Sequence, residues 1–421
     1  MNKDFRPNDY KFRLSECLLG VQTLFIAFGA LVLVPLLTGL DPSVALFTSG
    51  VGTLIFQYLT KGQIPAFLGS SFAFLPAMLY GIEHWGLPGT LFGLAVGGCV
   101  YYLLSLVIYF RGREFVDRML PTIVTGPIIM SIGLVLAPVA INMAMGKTGD
   151  GKIELFAENT ALILSLVALS ATLITRLFAK GRLQLIPMLV GVVAGYIMSV
   201  YFGLVDFSKV SQAPWFQIPH FSFPSFNFEA VLLILPIAAV SAIEHIGDVV
   251  AVGAITNRNY VRYPGLHRSL LGDGIATTFA ACIGGPANTT YSEVTAGIAL
   301  TKTYNPGIMT WSCIAAIVLA FIGKVNVLLQ TIPTPVMGGI LILLFGAITV
   351  TGMNLLVQSQ ADLLKPRNMS IVAIILMIPV GGLSFGLGNF AIEGIGLGGV
   401  VGVLLHLILP DKDNPKKLPA S

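Results

Sequence analysis

The stretch Leu120-Pro-Thr-Ile-Val-Thr-Gly-Pro-Ile128 returns later in the chain as Ile332-Pro-Thr-Pro-Val-Met-Gly-Gly-Ile340, with Pro, Thr, Val, Gly and Ile shared at an offset of 212 residues. A second echo pairs Pro65-Ala66 with Pro286-Ala287, at an offset of 221, and seven residues after each proline stand Phe72 and Glu293. Seven predicted membrane spans separate the members of each pair. Because seven is odd, the two halves are predicted to be inverted repeats, the architecture of secondary transporters. The alternative is chance similarity between apolar stretches rich in Pro and Gly.

The composition is that of a polytopic membrane protein. Of 421 residues, 55% are hydrophobic and 10% are charged, and apolar stretches of about 20 residues recur from end to end, the length a helix needs to cross the bilayer. We predict an all-α protein with fourteen transmembrane segments, and a soluble protein is excluded. The segments begin near residues 15, 43, 64, 89, 120, 159, 184, 229, 269, 286, 307, 333, 369 and 392.

The basic residues predict the orientation. When loops are assigned alternately to the two sides, 20 of the 24 Lys and Arg residues fall on one side. The other four are Lys147, Lys152, Lys209 and Lys324. Cytoplasmic loops carry this excess, so both termini are expected in the cytoplasm. The net charge of +4 follows from this topology and requires no nucleic-acid partner.

The amino terminus and the cysteines suggest no processing and no cross-links. Residues 1–13 are polar and lack the features of a secretory signal, so we expect them to be retained and insertion to use the spans. Cys17, Cys99, Cys282 and Cys313 lie in apolar segments without paired spacing. Neither a disulfide framework nor a metal site is predicted.

Two of the echoing stretches are poor helix formers. Ile64–Pro76 is bounded by prolines and contains Gly69, Ser70 and Ser71, whereas Gly284–Glu293 is rich in Gly, Pro and Thr. We predict extended backbone in spans 3 and 10, each leading into a half-helix. Such backbone is tolerated inside a membrane where it lines a cavity, so two facing stretches would form a site at the midplane. The alternative is a pair of kinked spans without a ligand.

Three carboxylates lie inside predicted spans, Glu244, Asp248 and Glu293. Each costs about 2.5–3.5 kcal/mol at the centre of a spanning helix, which indicates a functional use. Glu244 and Asp248 are four residues apart and share a helix face, where like charges repel. A carboxyl that holds or releases a proton near neutral pH is what a proton-coupled carrier needs. The alternative is a structural cluster neutralised by His245 or by loop arginines.

Two further polar residues are assigned structural roles. His245 follows Glu244 directly and points about 100° away on a helix, so we expect it to be a packing or tautomer-fixing partner rather than a ligand. Asp273 lies between Gly272 and Gly274 near a predicted span start. That position favours a helix cap over a site residue.

Six stretches are specific enough to indicate a family. They are Gln22-Thr-Leu-Phe-Ile-Ala-Phe-Gly-Ala-Leu-Val-Leu-Val-Pro35, Ile64-Pro-Ala-Phe-Leu-Gly-Ser-Ser-Phe-Ala-Phe74, Glu244-His-Ile-Gly-Asp248, Pro264-Gly-Leu-His-Arg-Ser269, Asn288-Thr-Thr-Tyr-Ser-Glu293 and Pro335-Val-Met-Gly-Gly339. Over nearly its whole length the chain resembles the nucleobase–ascorbate transporter family, most closely its bacterial uracil permeases.

The resemblance implies an architecture and an assembly. It implies two inverted seven-span repeats arranged as a core domain (residues 1–110, spans 1–4, and 229–325, spans 8–11) and a gate domain (residues 111–228, spans 5–7, and 326–421, spans 12–14 with a cytoplasmic tail). It also implies a homodimer in the cytoplasmic membrane that moves its substrate by an elevator-like shift.

The resemblance also implies binding roles. Glu244 matches the family's span-8 substrate carboxylate, Glu293 its span-10 partner and Phe72 the aromatic that packs on the base. Backbone donors are expected at Tyr291 and Ser292, and a span-1 wall at Ala30 and Leu31. Proton coupling or specificity is assigned to Glu244, Asp248 and His245.

Departures from the family pattern concern the choice of base. Asp248 replaces the histidine of uracil permeases and resembles the purine and xanthine branch. Glu293-Val294, in place of an amide pair, favours a pyrimidine, and Phe345 replaces an expected gate-domain tyrosine.

We therefore predict a proton-coupled importer of a neutral nucleobase, with uracil as the first candidate, the proton as coupling ion and no other cofactor. The alternatives are a xanthine or oxopurine symporter and an anion exchanger or channel. An enzyme is disfavoured because no nucleophile–base set or metal spacing appears.

Overall fold

The computed structural model describes residues 10–112, 121–181, 183–387 and 390–410, without the side chains of Ala30 and residues 384–393. These residues are mostly helical. The helices are α1 Cys17–Thr38, α2 Pro42–Leu59, α3 Leu75–Arg111, α4 Thr122–Ala144, α5 Glu158–Phe178, α6 Pro187–Tyr201, α7 Ser208–Gln212, α8 Phe228–Thr256, α9 Leu266–Cys282, α10 Ser292–Thr301, α11 Gly307–Ala320, α12 Gly323–Gln330, α13 Thr334–Gln358, α14 Pro366–Val380 and α15 Gly394–Ile408. The strands are β1 Leu68–Ser70, β2 Asn288–Thr290, β3 Ser384–Leu387 and β4 Phe390–Glu393.

Six helices of the described chain are long and apolar enough to cross a membrane, namely α1, α3, α4, α5, α8 and α13. Four shorter apolar helices are α6, α11, α14 and α15. The chain is therefore an integral, multi-pass membrane protein. A helix, a strand or a helix break begins within four residues of each of the fourteen span positions predicted above. The break is at Gly86 in α3, where φ is 72° and the helix is interrupted between predicted spans 3 and 4.

Several helix ends follow from local chemistry. Asp41 caps α2, accepting a 2.8 Å hydrogen bond from the Ser43 N–H, and Pro42 occupies the first helical position. Asn227 caps α8 in the same way through the N–H of Ala230, at 2.8 Å. Asn257 ends α8 in a left-handed conformation. These residue types satisfy the free N–H and C=O groups that a helix terminus leaves.

Packing divides the helices into two groups. The first group contains α1, α2, α3, α8, α9, α10 and α11, with its most extensive contacts between α9 and α3 and between α3 and α8. The second group contains α4, α5, α6, α13, α14 and α15, and the contact between α4 and α13 is the most extensive in the molecule. Contacts between the groups are fewer and involve mainly α8 with α15 and α1 with α6.

The two predicted extended stretches meet inside the first group. Strands β1 and β2 pair antiparallel, with Leu68 opposite Thr290, Gly69 opposite Thr289 and Ser70 opposite Asn288. All six residues are buried. Each strand runs into a helical segment, β1 into the turn Phe72–Phe74 and β2 into α10. The prediction of extended backbone leading into half-helices is confirmed for both stretches.

The long apolar repeat also has a structural counterpart. Its first copy falls on the start of α4 and its second on the start of α13, the two helices with the most extensive contact. Leu120, the first residue of the first copy, lies outside the described residues. So do Arg113, Arg118 and Arg182, three of the 20 basic residues that the charge bias assigns to the cytoplasmic side.

Candidate functional site

The β1–β2 pair is held by its own backbone and by neighbouring hydroxyls. The Ser71 N–H donates to the Ala287 carbonyl at 2.8 Å, and the Thr277 hydroxyl donates to the Asn288 carbonyl at 2.9 Å. The Tyr291 hydroxyl donates to the Ser70 carbonyl at 2.8 Å. Buried polar backbone inside a membrane protein needs such partners, so the strands form a fixed platform rather than a flexible loop.

A cavity of about 430 Å³ lies beside this platform. Its volume is within the range of roughly 300–1,000 Å³ typical of small-molecule sites. Residues from both helix groups line it. The first group contributes Phe25, Ile26, Ser70, Phe72, Glu244, Thr289, Thr290, Tyr291, Ser292, Glu293, Ala296, Gly297 and Leu300; the second contributes Ile129, Arg176, Pro187, Met188, Leu344, Ala347, Ile348 and Thr351, with Gln184, Leu185 and Ile186 just before α6.

Both predicted substrate carboxylates line this one cavity. Glu244 is on α8 and Glu293 is the second residue of α10, and each is partly buried. Phe72, which the repeat pairs with Glu293, also lines the cavity. Two acceptors and one aromatic ring thus face a single space, although 49 residues separate the two acids in sequence.

Tyr291 and Ser292 also line the cavity. Tyr291 is the residue before α10 and Ser292 is its first residue. The first N–H groups of a helix have no partner within the helix and carry partial positive charge. The Tyr291 N–H already donates to the Phe67 carbonyl at 3.3 Å. The backbone donors at the start of α10, next to the Glu293 acceptor, therefore begin at Ser292.

Asp248 does not line the cavity but contacts a residue that does. Its Oδ2 accepts a 2.8 Å hydrogen bond from the Thr290 hydroxyl, and Thr290 belongs to β2 and lines the cavity. Asp248 therefore lies behind the strand, one residue away from the space that Glu244 and Glu293 face.

His245 and Asp273 form a buried pair. Their side chains are fully inaccessible, with His245 Nδ1 3.0 Å from Asp273 Oδ2. The prediction that His245 is a structural partner agrees with this position, but the prediction that Asp273 caps a helix is wrong. Helix α9 begins at Leu266, so Asp273 lies two turns inside it, and the capping position belongs to Gly265.

The remaining predicted residues lie at or behind the wall. Leu31 is fully buried and is not among the residues that line the cavity; its side chain packs against Gly69. The side chain of Ala30 lies outside the described part of the chain. Phe345 is buried, and its ring meets the Phe72 ring edge-on with centroids 6.0 Å apart. It therefore supports Phe72 rather than facing the cavity.

Sequence reasoning missed the second group's polar contributions. Arg176, at the end of α5, is exposed and lines the same cavity as Glu293. Gln184 and Thr351 line the cavity as well. These residues belong to ordinary loop and helix patterns, so no signal in the sequence would have selected them.

A family model described as Permease family, with the short name Xan_ur_permease, matches residues 14–385 of the chain. The chain belongs to the nucleobase–ascorbate transporter family. It is accordingly a permease and not an enzyme.

Two relatives agree with this family, and a solved structure shares the fold. The chain is 46% identical to a probable uracil permease of Haemophilus influenzae, over 96% of each chain. It is 43% identical to a uracil permease of Bacillus caldolyticus, over 94% of this chain and 92% of the relative. The transmembrane domain of a cyanobacterium bicarbonate transporter, BicA, shares the fold with a TM-score of 0.63 at 17% identity, covering 95% of this chain and 99% of that one.

Proposed function

We propose that this chain is a proton-coupled symporter that imports a neutral nucleobase across the cytoplasmic membrane, with uracil as the first candidate. The observation that carries the proposal is the position of Glu244 and Glu293 on one cavity, with Phe72 on the same wall and the start of α10 beside them. The uracil permeases among the relatives support the choice of a nucleobase.

The groups on the cavity wall match the edges of such a base. Uracil carries ring N–H donors and carbonyl acceptors on a flat ring. Glu244 and Glu293 accept from the N–H groups of the base, the free N–H groups at the start of α10, from Ser292 on, donate to its carbonyls, and Phe72 packs on the ring face. Paired polar recognition of this kind discriminates strongly, because a base that lacks a partner leaves buried polar groups unsatisfied.

Proton coupling is assigned to the same carboxylates. Glu244 lines the cavity with a second acid, Glu293, and two acids that share one site favour states in which one holds a proton. Such a carboxyl can take up a proton with the base and release it with the base. One charge moving down 100 mV contributes about 2.3 kcal/mol, on the order of a 50-fold gradient for a neutral solute.

Alternating access by an elevator-like shift is supported by the two helix groups. The first group holds the strand platform and both glutamates, and the second supplies the opposite wall. Fewer contacts join the groups than hold each together. We assign the first group to the core domain and the second to the gate domain, with fourteen spans in two inverted repeats and a homodimeric assembly.

The proposed topology is supported by contacts between loops. On the side predicted to be outside, the His220 N–H donates to Asp41 at 3.0 Å and Lys324 donates to the Ser211 carbonyl at 3.1 Å. On the side predicted to be cytoplasmic, Lys11 and Asn305 bond each other. Each contact joins loops that the charge bias assigns to one side, with both termini in the cytoplasm.

Two alternatives have specific observations in their favour. Asp248, in place of a histidine, favours xanthine or another oxopurine. Arg176 on the cavity wall is the cationic chemistry that an anion exchanger or channel needs, and the bicarbonate transporter shares the fold. Two glutamates on the same wall disfavour an anion at the centre of the cavity.

Uptake into proteoliposomes distinguishes these functions. Radiolabelled uracil and xanthine are supplied separately, with and without an imposed pH gradient, and each is competed by the other and by bicarbonate. We expect saturable uracil accumulation that the pH gradient drives and that excess bicarbonate leaves unchanged. Accumulation of xanthine alone would select the oxopurine carrier. Bicarbonate uptake without base uptake would overturn the proposal.

A further inference from the structure

The loop between α4 and α5 is rigid because its own side chains bind its backbone. The Thr148 hydroxyl donates to the Asp150 carboxylate. The Lys152 N–H donates to Asp150 Oδ1 at 3.2 Å, and the Ile153 N–H donates to Thr148 Oγ1 at 3.2 Å. The Asn142 side chain, on α4, donates to the Gly149 carbonyl at 3.1 Å. The backbone at Lys152 is therefore held in one place relative to the second helix group.

From this loop Lys152 reaches across to the first group. Its Nζ lies 3.5 Å from Glu83 Oε1, on the first half of α3, and 3.4 Å from Asp150 Oδ2 in its own loop. The hydrogen bond to Asp150, followed by the charge of Glu83, raises the pKa of the Lys152 ammonium. The lysine is consequently charged throughout the neutral range, and the ion pair bridges the two groups.

The bridge lies far from the cavity opening. Helix α5 has 21 residues, a length of about 30 Å at 1.5 Å per residue. The Lys152 loop precedes its first turn, and exposed Arg176, which lines the cavity, is in its last turn. The cavity thus reaches the surface at one end of α5, and the Lys152–Glu83 pair is at the other end.

We propose that the Lys152–Glu83 ion pair is a latch, which joins the two helix groups on the face opposite the cavity opening and so stabilises the cytoplasm-open conformation. The inference rests on the proposed function, because a latch has a role only in a carrier that alternates between a cytoplasm-open and an outward-open conformation. When the groups shift so that the cavity opens outward, Lys152 and Glu83 must separate, since each belongs to a different group.

A weak contact suits this role. The two side chains are 68% and 66% exposed, and solvent-exposed pairs contribute little because water and salt screen them. A latch of that strength biases the equilibrium without stopping the cycle. Removing it should raise the outward-open population about 1.5- to 5-fold. The apparent affinity for external substrate should improve by a similar factor, because it scales with the competent fraction.

The first test measures KM for uracil uptake from outside. Lys152→Gln and Glu83→Gln should each lower KM by about 1.5- to 5-fold, and the double variant should lower it no further than either single variant. Lys147→Gln, a lysine of the same loop, is the control and should leave KM unchanged. High salt should remove the difference from the parent protein. Unchanged KM in both single variants, or additive effects in the double variant, would overturn the latch.

The second test locks the pair. In a chain with its four native cysteines replaced by serine, Glu83→Cys and Lys152→Cys are joined by a reversible bifunctional thiol reagent. Uptake should stop while equilibrium uracil binding from the cytoplasmic side remains, and reduction should restore uptake. Lys147→Cys with Glu154→Cys, which pair within one loop, is the matched control and should keep uptake when cross-linked. Full uptake by the locked Glu83–Lys152 pair would refute the latch, whereas a parent chain that binds no uracil would refute the proposed function instead.

Discussion

The Thr290 hydroxyl donates a 2.8 Å hydrogen bond to Asp248 Oδ2, which ties the strand on the cavity wall to the helix that carries Glu244. Asp248 is one turn after Glu244 on α8 and does not itself line the cavity. We infer that this acid acts on the base through β2, by fixing the backbone that leads into Tyr291 and Ser292.

Thr290→Val removes the hydroxyl but keeps the size of the side chain, so Asp248 loses a donor. Removing one partner leaves the other without its hydrogen bond, which costs about 1–3 kcal/mol, and we expect a loss of stability of that order. Thermal unfolding in detergent measures it. Thr290→Ser should restore the stability. Thr289→Val is the matched control, since the Thr289 hydroxyl has no hydrogen-bond partner among the described residues. An equal loss in Thr289→Val would contradict the role of the Thr290 bond.

Glu293→Gln keeps the size of the side chain and replaces one acceptor oxygen by an NH2 donor that faces a ring N–H. Equilibrium uracil binding should weaken by about 1–3 kcal/mol. Isothermal titration of the purified variant, with its unfolding temperature as a folding check, gives the value. A folded Glu293→Gln variant with unchanged affinity would remove Glu293 from the binding site.

The parts of this structure that the sequence predicted depend on strong local signals. Apolar length located the helices, and the prolines and glycines of Ile64–Pro76 and Gly284–Glu293 predicted the extended strands. The repeat paired Phe72 with Glu293, and both line the cavity. These signals are strong in a membrane protein, because an unpaired backbone group or a charge inside the bilayer carries a large free-energy cost.

The parts it did not predict depend on contacts between distant segments. The cap role of Asp273 rested on a helix start only three residues from the true one, but that shift moves the side chain from a helix end to a buried contact with His245. Arg176 enters the cavity only because α5 packs on α6 and α13. Neither contact has a periodic or compositional signal, so hydropathy and motif reasoning could not find them.

Gly69 is required by close packing between β1 and its neighbours. A Cβ at this position would lie 2.6 Å from Tyr291 Cζ and 2.8 Å from Leu31 Cδ2. Gly69→Ala should therefore destabilise the protein by about 1–3 kcal/mol and weaken uracil binding, because Tyr291 must move. Thermal unfolding and binding on the same sample test both effects. Gly346→Ala, where a Cβ meets no atom within 4 Å, is the control.

Glu244 and Asp248 should separate in function, because only Glu244 lines the cavity. Glu244→Gln should abolish accumulation of uracil driven by a pH gradient. Asp248→Asn should retain measurable binding and chiefly change the pH dependence or the preference among bases, since the amide can still accept from Thr290. Uptake and binding are measured on both variants. Complete loss of binding in Asp248→Asn, with Glu244→Gln still accumulating uracil, would reverse these roles.

Asp248→His tests which branch of the family the chain follows. A neutral histidine can accept from the Thr290 hydroxyl with one ring nitrogen and donate with the other, whereas an ionised aspartate can only accept. In a uracil carrier that tolerates an acid behind β2, the change should preserve or improve uracil binding. In an oxopurine carrier that needs the acid, it should weaken xanthine binding. Two dissociation constants on this one variant decide the matter, and uracil binding lost with xanthine binding retained would overturn both the uracil assignment and the role given to Asp248.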